Sequence, residues 1–387
     1  MKLLAVASLR GDAWLGGVNY FRGLVHALRA HPAEDGTTIN VLTNRPEALG
    51  PPSPGPVEIV DAPWLDPTSR ALHFANGAMS NLLQYNPLLY THARATRANL
   101  ITHALPGLLS PCPILFWMPD FQHRHLPGYF SAYERWRRDR NVRAAARHGH
   151  ILFSSNSAAA DFRRFYPRDA AITTAHVLPF PPTGGQLQAA TKPQVLARHG
   201  ISDGYFLVPN QFWRHKNHKV VIEALRLLPE RFHVVCTGAV ADSRGGAHIR
   251  DMLRDIDTHG LERRFTILGV LPRDEMLSLL QHARCVINPS LFEGWSTVVE
   301  EAKLGGKRLV LSDIPVHREQ DPEDGIYFSP TDPAALAAAM ERVESEGDAS
   351  LDQHRAERAR TRRGSDVRRF ADAYWRIARI AAGGSGQ

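Results

Sequence analysis

Two glutamates, Glu293 and Glu301, stand with seven residues between them in the stretch NPSLFEGWSTVVEEA, Asn288 to Ala302. Glu293 falls in a loop that also holds Gly294, Ser296 and Thr297. Glu301 falls about one to two turns into an apolar helix carrying Val298, Val299, Ala302 and Leu304. Just ahead, Cys285-Val286-Ile287 reads as a short buried strand. A strand, a loop and a helix in that order leave the first helical N–H groups without partners and partly positive, which suits an anion. The two carboxylates cannot themselves bind a phosphate. Their chemistry is to accept hydrogen bonds from neutral hydroxyls beside it, and a phosphate site flanked by hydroxyl acceptors describes a nucleotide sugar. The plain alternative is a buried strand followed by an ordinary surface helix.

A second cluster, Asn210 to Lys219, follows the apolar run Tyr205-Phe206-Leu207-Val208 and opens a helix. Lys216 supplies a compact charge there and Arg214 a planar fork, and both can meet a diphosphate. Cations are unfavourable at a helix N-terminus, and an anion nearby removes that conflict. Gly16 and Gly17 lie between the first strand and the first helix. Two adjacent glycines let backbone approach a ligand closely, or simply make a tight turn.

The glutamate stretch, continued by Ala302-Lys303-Leu304-Gly305-Gly306 and by Ser312 to Glu319, resembles the family 4 glycosyltransferases of the GT-B fold, whose signature is a glutamate pair with this spacing. The resemblance implies two doubly wound, Rossmann-like α/β domains facing across a cleft, and a retaining, metal-independent transfer of a hexosyl-type sugar with no cofactor. The donor is a UDP- or GDP-linked sugar. The acceptor is a glycan or a lipid-linked intermediate of bacterial envelope polysaccharide synthesis. Lys216 aligns with the family lysine that neutralises the leaving diphosphate. The family arginine five residues before it is replaced by Gln211, and Arg214 is the candidate substitute. Gly16 and Gly17 match the glycine loop near the donor phosphates. Glu301 should accept from ribose hydroxyls and Glu293 from sugar hydroxyls, with the helix start at Ser296 and Thr297 facing the diphosphate. Relatives often carry a histidine followed by Asp after the strand that Ile114 to Trp117 represents. Here Pro119 precedes Asp120, and His123 comes three later, so Asp120 and His123 are expected to line the acceptor and sugar site, or else only to cap a helix from Ser131. Within the fold, an epimerase or a phosphorylase is the other reading, and an inactive basic surface-binding module is the non-enzymatic one.

The elements that must position these residues alternate. Apolar strand-like runs at 3–7, 39–42, 57–60, 114–117, 151–153 and 176–178 are separated by helical patterns such as Gly17 to Leu28, and Pro46 to Pro56 reads as a surface loop. Phe180 to Gly185 breaks the pattern as a linker. A second series follows with runs at 205–208, 232–235, 265–268, 285–287 and 309–311. Strands alternating with helices imply parallel sheets covered on both faces, with ligands at the carboxyl ends of the strands. The expected division is 1–181 as an acceptor-side domain, 182–365 as a donor-binding domain, and 366–382 as a helix crossing back to the first.

The 387 residues suit two domains, and 43% hydrophobic content excludes global disorder. The apolar stretches are too short to span a bilayer, and the N-terminus reads as a strand leading to Arg10-Gly11-Asp12, so a cytoplasmic protein is expected. Cys112, Cys236 and Cys285 lie far apart without metal spacing and read as core thiols. The formal charge is +7, with arginines gathered at 135–147 and 355–369. Those runs are solvated helix faces or a peripheral contact with an anionic membrane surface. They match no nucleic-acid-binding pattern, so nucleic acid is not an expected partner. Asp255-Ile256-Asp257, which looks like a metal-binding Asp-x-Asp, lies inside a helical pattern and reads as surface charge. Ser154 to Ser157 reads as the cap of a helix, with contact to the acceptor as the other option.

Overall fold

The computed structural model describes residues 1–9, 15–51, 53, 55–66, 86–107, 109–181, 192–242, 246–346 and 349–383. Contacts divide the chain into one unit of Met1–Gly184 with Gly364–Gln387, and a second of Gly185–Arg363. Arg10 to Asp12 and the linker residues Pro182 to Gly185 lie outside the described residues.

The first unit is built on β1 (Lys2–Ala7), β2 (Thr38–Thr43), β3 (Val57–Asp61), β4 (Leu100–Thr102), β5 (Ile114–Met118), β6 (His150–Phe153) and β7 (Thr174–Val177). These strands lie in the order β3-β2-β1-β4-β5-β6-β7, all pairs parallel. A parallel sheet is covered on both faces, so its strands need near-continuous apolar runs rather than alternation. β1 and β5 supply them, with Leu3 to Ala7 and Ile114 to Met118 buried throughout. One face packs on Tyr20, Phe21, Leu24 and Leu28 of the helix Leu15–Ala30, and on Phe370, Tyr374 and Trp375 of the helix Ala349–Ala381. The opposite face packs on Leu89, Tyr90 and Ala93. Two polar anchors fix the C-terminal helix here: Tyr374 OH lies 3.0 Å from Thr102 Oγ1, and Trp375 Nε1 donates to His31 O at 2.9 Å.

The second unit contains β8 (Phe206–Val208), β9 (Val234–Cys236), β10 (Phe265–Ile267), β11 (Cys285–Asn288), β12 (Leu309–Ser312) and β13 (Ile326–Phe328). Their order is β10-β9-β8-β11-β12-β13, again parallel. The chain moves outward from β8 to β10, then returns to place β11 on the other side of β8. That reversal opens a crevice at the carboxyl ends of β8 and β11, where doubly wound folds bind ligands.

Several expectations shift. Pro46–Leu49 is one helical turn started by proline, not loop. Gly16 and Gly17 sit inside the first turn of the helix Leu15–Ala30 rather than ahead of it. β4 and β13, three residues each, were absent from the expected series. Cys236 and Cys285 are buried thiols, whereas Cys112 is only half-buried. Asp255 and Asp257 fall in the last turn of the helix Ala247–Thr258, whose buried residues are Ile249, Met252 and Ile256. Among the described residues, no helix is long and apolar enough to cross a membrane.

Candidate active site

Lys216 and Glu293 meet in the second unit. The chain leaves β8 and makes a short 3-10 turn, Arg214–Lys216, closed by Asn217 in the left-handed region at φ 58°. The Asn217 side chain donates to Pro289 O at 3.0 Å and to Pro330 O at 2.8 Å, and His215 O accepts from Leu291 N at 2.8 Å. These bonds stitch the turn after β8 to the loop after β11. The result is an ion pair, Lys216 Nζ to Glu293 Oε1 at 2.5 Å, with the two side chains 15% and 8% exposed.

Glu293 is held further by Ser290, whose Oγ lies 2.7 Å from both Glu293 Oε1 and Asn288 Oδ1, one proton shared between two acceptors. Asn210 Nδ2, from the end of β8, donates to Asn288 Oδ1 at 3.1 Å and closes the crevice floor. Burial pushes the Glu293 carboxyl up, but Lys216, aided by His215 and His317, outweighs it and leaves the carboxyl below its usual range. Gly238, after β9, runs beside this floor at φ 122°. A Cβ there would stand 2.7 Å from Asn210 O, so the backbone approach requires glycine.

Glu301 lies on the helix Thr297–Leu304, 5% exposed. Its Oε1 accepts from Arg273 Nη1 at 3.0 Å. Burial raises the Glu301 carboxyl and Arg273 opposes that without cancelling it.

Ser296 caps this helix, its Oγ accepting from Val299 N at 3.3 Å and from Asn288 Nδ2 at 2.7 Å. The Ser296 amide donates to Gln320 Oε1 at 3.2 Å. That corrects one expectation: the Ser296 N–H is spent inside the fold. Val299 N and Glu300 N also bond to Ser296, so the helix-start amides left for an anion are those of Thr297 and Val298. Arg214 is exposed at the head of its turn, with its amide on Asp242 Oδ2 at 3.3 Å.

The remaining candidates belong to the first unit. Asp120 follows β5, half-buried, and its Oδ1 accepts from Gln122 N at 2.9 Å. His123 shows none of its side chain at the surface. Its Nε2 lies 3.0 Å from Asp139 Oδ1 and 3.3 Å from Tyr166 OH, and Arg124 Nη2 donates to Asp139 Oδ2 at 2.7 Å. The one-turn helix Gln122–His125 turns the imidazole inward onto Asp139, so His123 braces the loop after β5 instead of lining open space. Gly16 borders open space, since a Cβ there would meet nothing within 4 Å, and Gly17 is buried.

Three residues escaped the sequence reading. His103 stands at the end of β4, where this sheet reverses, at φ 62°, with Nε2 2.8 Å from Tyr20 OH. Burial lowers its pKa to about 3, which keeps the imidazole neutral. Its signal was a histidine just after a short apolar run, too brief to read as a strand. His317 is fully buried beyond β12. Its Nδ1 lies 2.9 Å from Ser312 O, and its Nε2 is buried with no partner. Arg273 is the third, and nothing in its local pattern points to Glu301.

Parts of the chain are similar to known proteins. Residues 196–362 match the family described as glycosyl transferases group 1. The O-antigen chain mannosyltransferase RfbU of Salmonella typhimurium is 24% identical over 147 residues, covering 38% of this chain and 40% of that protein. A glycogen synthase of Mycobacterium tuberculosis is 33% identical over 156 residues, covering 40% of this chain and 37% of that protein. The matched stretch thus spans well under half the length of either relative. The crystal structure of Anabaena Alr3699/HepE in complex with UDP and glucose superposes with a TM-score of 0.68 at 16% identity, covering 97% of this chain and 98% of that one. That likeness speaks for the fold, two doubly wound sheets of the GT-B type. The family match covers residues 196–362, a stretch inside the second unit and less than half of the chain.

Proposed function

We propose that the protein is a retaining glycosyltransferase that moves a hexosyl-type sugar from a UDP- or GDP-linked donor to a glycan or lipid-linked acceptor of a bacterial envelope polysaccharide. The observation that carries this reading is the Lys216–Glu293 pair at the reversal point of the second sheet, with Glu301 on the helix that starts beside it. Each group suits one part of such a donor. Lys216, with the amides of Thr297 and Val298, neutralises charge growing on the departing diphosphate. Glu293 accepts from sugar hydroxyls and Glu301 from the ribose. Arg214, exposed at the head of the same turn, would supplement Lys216 in the role that Gln211 cannot fill. Gly16 and Gly17 would give the donor phosphates close backbone approach, and Asp120 would face the acceptor and the transferred sugar.

With Lys216 already engaging Glu293, neither partner is set up as a covalent nucleophile. A front-face exchange follows: the acceptor oxygen enters on the side from which the diphosphate leaves. The proton of the acceptor passes to a diphosphate oxygen, and preorganised charge carries most of the catalysis. Metal-independence follows from the same assignment, because Lys216 and the helix amides do the neutralising. The likeness to RfbU, an O-antigen chain mannosyltransferase, supports an O-antigen-like acceptor, and the UDP in the Anabaena complex supports a uridine donor. The basic face of the helix Ala132–Ala146 supports peripheral contact with an anionic membrane from the cytoplasmic side.

The test is release of free nucleotide from UDP- and GDP-sugars, with the product anomer read by NMR. Lys216→Ala should lower turnover roughly 10²–10³-fold. Full turnover in that variant, or an inverted anomer from the native protein, would overturn the reading.

A further inference from the structure

The Arg273–Glu301 contact is oddly placed for an ordinary ion pair. Arg273 is the first residue of the helix Arg273–His282, where a cation opposes the helix dipole. Acids in its own first turn, Asp274 and Glu275, are close in sequence, yet Arg273 reaches a residue on another helix 28 positions on. Glu275 is itself taken by His199, at 2.8 Å, and by Arg198. The guanidinium is 38% exposed while the Glu301 side chain is 6% exposed, so arginine covers the carboxylate from the solvent side. One guanidinium nitrogen, Nη1, makes that bond, and the remaining N–H edge is available to a ligand.

We propose that Arg273 is a positioning residue for the nucleoside end of the donor: through its bond to Glu301 Oε1 it holds the carboxylate toward the ribose hydroxyls, and it offers its outer N–H edge to an acceptor atom of the ribose or base. This rests on the assignment of Glu301 to the ribose. Other charged groups around Glu301 are turned elsewhere. Lys303, on the same helix, bonds Gln320 O at 2.8 Å and pairs with Glu300. On the neighbouring helix Pro315–Gln320, Arg318 pairs with Asp313 and His317 faces Ser312. Arg273 is accordingly the charged group that offsets the burial of Glu301.

The sign of the effect follows. Burial already raises the Glu301 carboxyl, and removal of Arg273 raises it further. Loss of nucleotide binding on acidification then begins at higher pH. The probes are UDP and GDP, titrated calorimetrically into the full chain between pH 5 and 8, with melting curves as the check on folding. Arg273→Gln should weaken the better nucleotide roughly tenfold, the loss of one charged hydrogen bond. It should also move the acid limb upward by about one pH unit. Arg273→Lys should restore the limb, because it restores the charge. If Glu301→Gln weakens binding while Arg273→Gln changes neither affinity nor limb, the role of Arg273 falls and the ribose assignment stands. Weaker binding with an unmoved limb also overturns it, since Arg273 then does not act through Glu301. If the native chain binds neither nucleotide, or Glu301→Gln binds like the native chain, the assignment of Glu301 falls and this proposal with it.

Discussion

Lys216 and Glu293 are stable together and costly apart. A mostly buried pair that loses one partner strands a charge, at about 3 kcal/mol or more. Lys216→Ala should therefore lower the melting temperature as well as turnover, because Glu293, 8% exposed, is left buried without its cation. Lys216→Met combined with Glu293→Gln removes both charges. It should recover most of the lost stability, read by thermal melts, while turnover stays as low as in Lys216→Ala or lower; recovered transfer would detach this pair from the chemistry. These two residues and Glu301 could be singled out in the sequence from the spacing of the two glutamates and the resemblance it carries, whereas their pairing appears only in the structure. Arg273, His317 and His103 were not legible. Arg273 and His103 take their partners, Glu301 and Tyr20, from elements distant in sequence, and His317 turns back onto Ser312 five residues away; a residue type alone does not say which partner it will meet. His123 shows the converse: it was expected to line the acceptor and sugar site, but it faces the Asp139 carboxylate and is turned inward.

At the scale of elements, the helix Thr297–Leu304 depends on Ser296. Its hydroxyl closes the first turn and satisfies Asn288 Nδ2, itself fully buried. Ser296→Ala should cost about 2 kcal/mol, a lost cap plus an orphaned buried amide, read by denaturant unfolding. Most of the sheet was visible as apolar runs, because parallel strands covered on both faces cannot alternate. β4 and β13 escaped because their apolar runs are brief and cut off by polar or turn residues: Leu100-Ile101 lies between Asn99 and Thr102, and Ile326-Tyr327-Phe328 between Gly325 and Ser329. The helix Ala132–Ala146 makes a separate prediction. Tyr133 and Trp136 are 60% and 54% exposed, stacked at 5.9 Å, with Arg140 over the Trp136 ring. Binding to phosphatidylglycerol vesicles should fall steeply with salt and weaken in Trp136→Ala, measured by sedimentation.

For the molecule as a whole, stability should fall toward acid. His218 is 4% exposed and, like His103, is held by burial at a pKa of about 3, and His176 at about 4. These folded values lie below the unfolded 6.5, so the stability they represent is present above pH 6.5 and is lost as pH falls from there toward 3. Between pH 6.5 and 5.5 the loss is about 1 kcal/mol for each deeply buried imidazole. Melts at pH 7.5 and 5.5 should show it, and His218→Gln should lessen it.

The core of the first unit is closed by Val367, Phe370, Tyr374 and Trp375, contributed from far downstream of the strands they cover. On the ribosome, β1 to β7 emerge with that side covered only in part, by the helix Leu15–Ala30, and the intervening unit is made before the rest of its cover arrives. The first part of the protein to be translated is thus among the last to be finished, and a nascent chain halted near residue 340 should be a strong client for chaperones that hold exposed apolar surface.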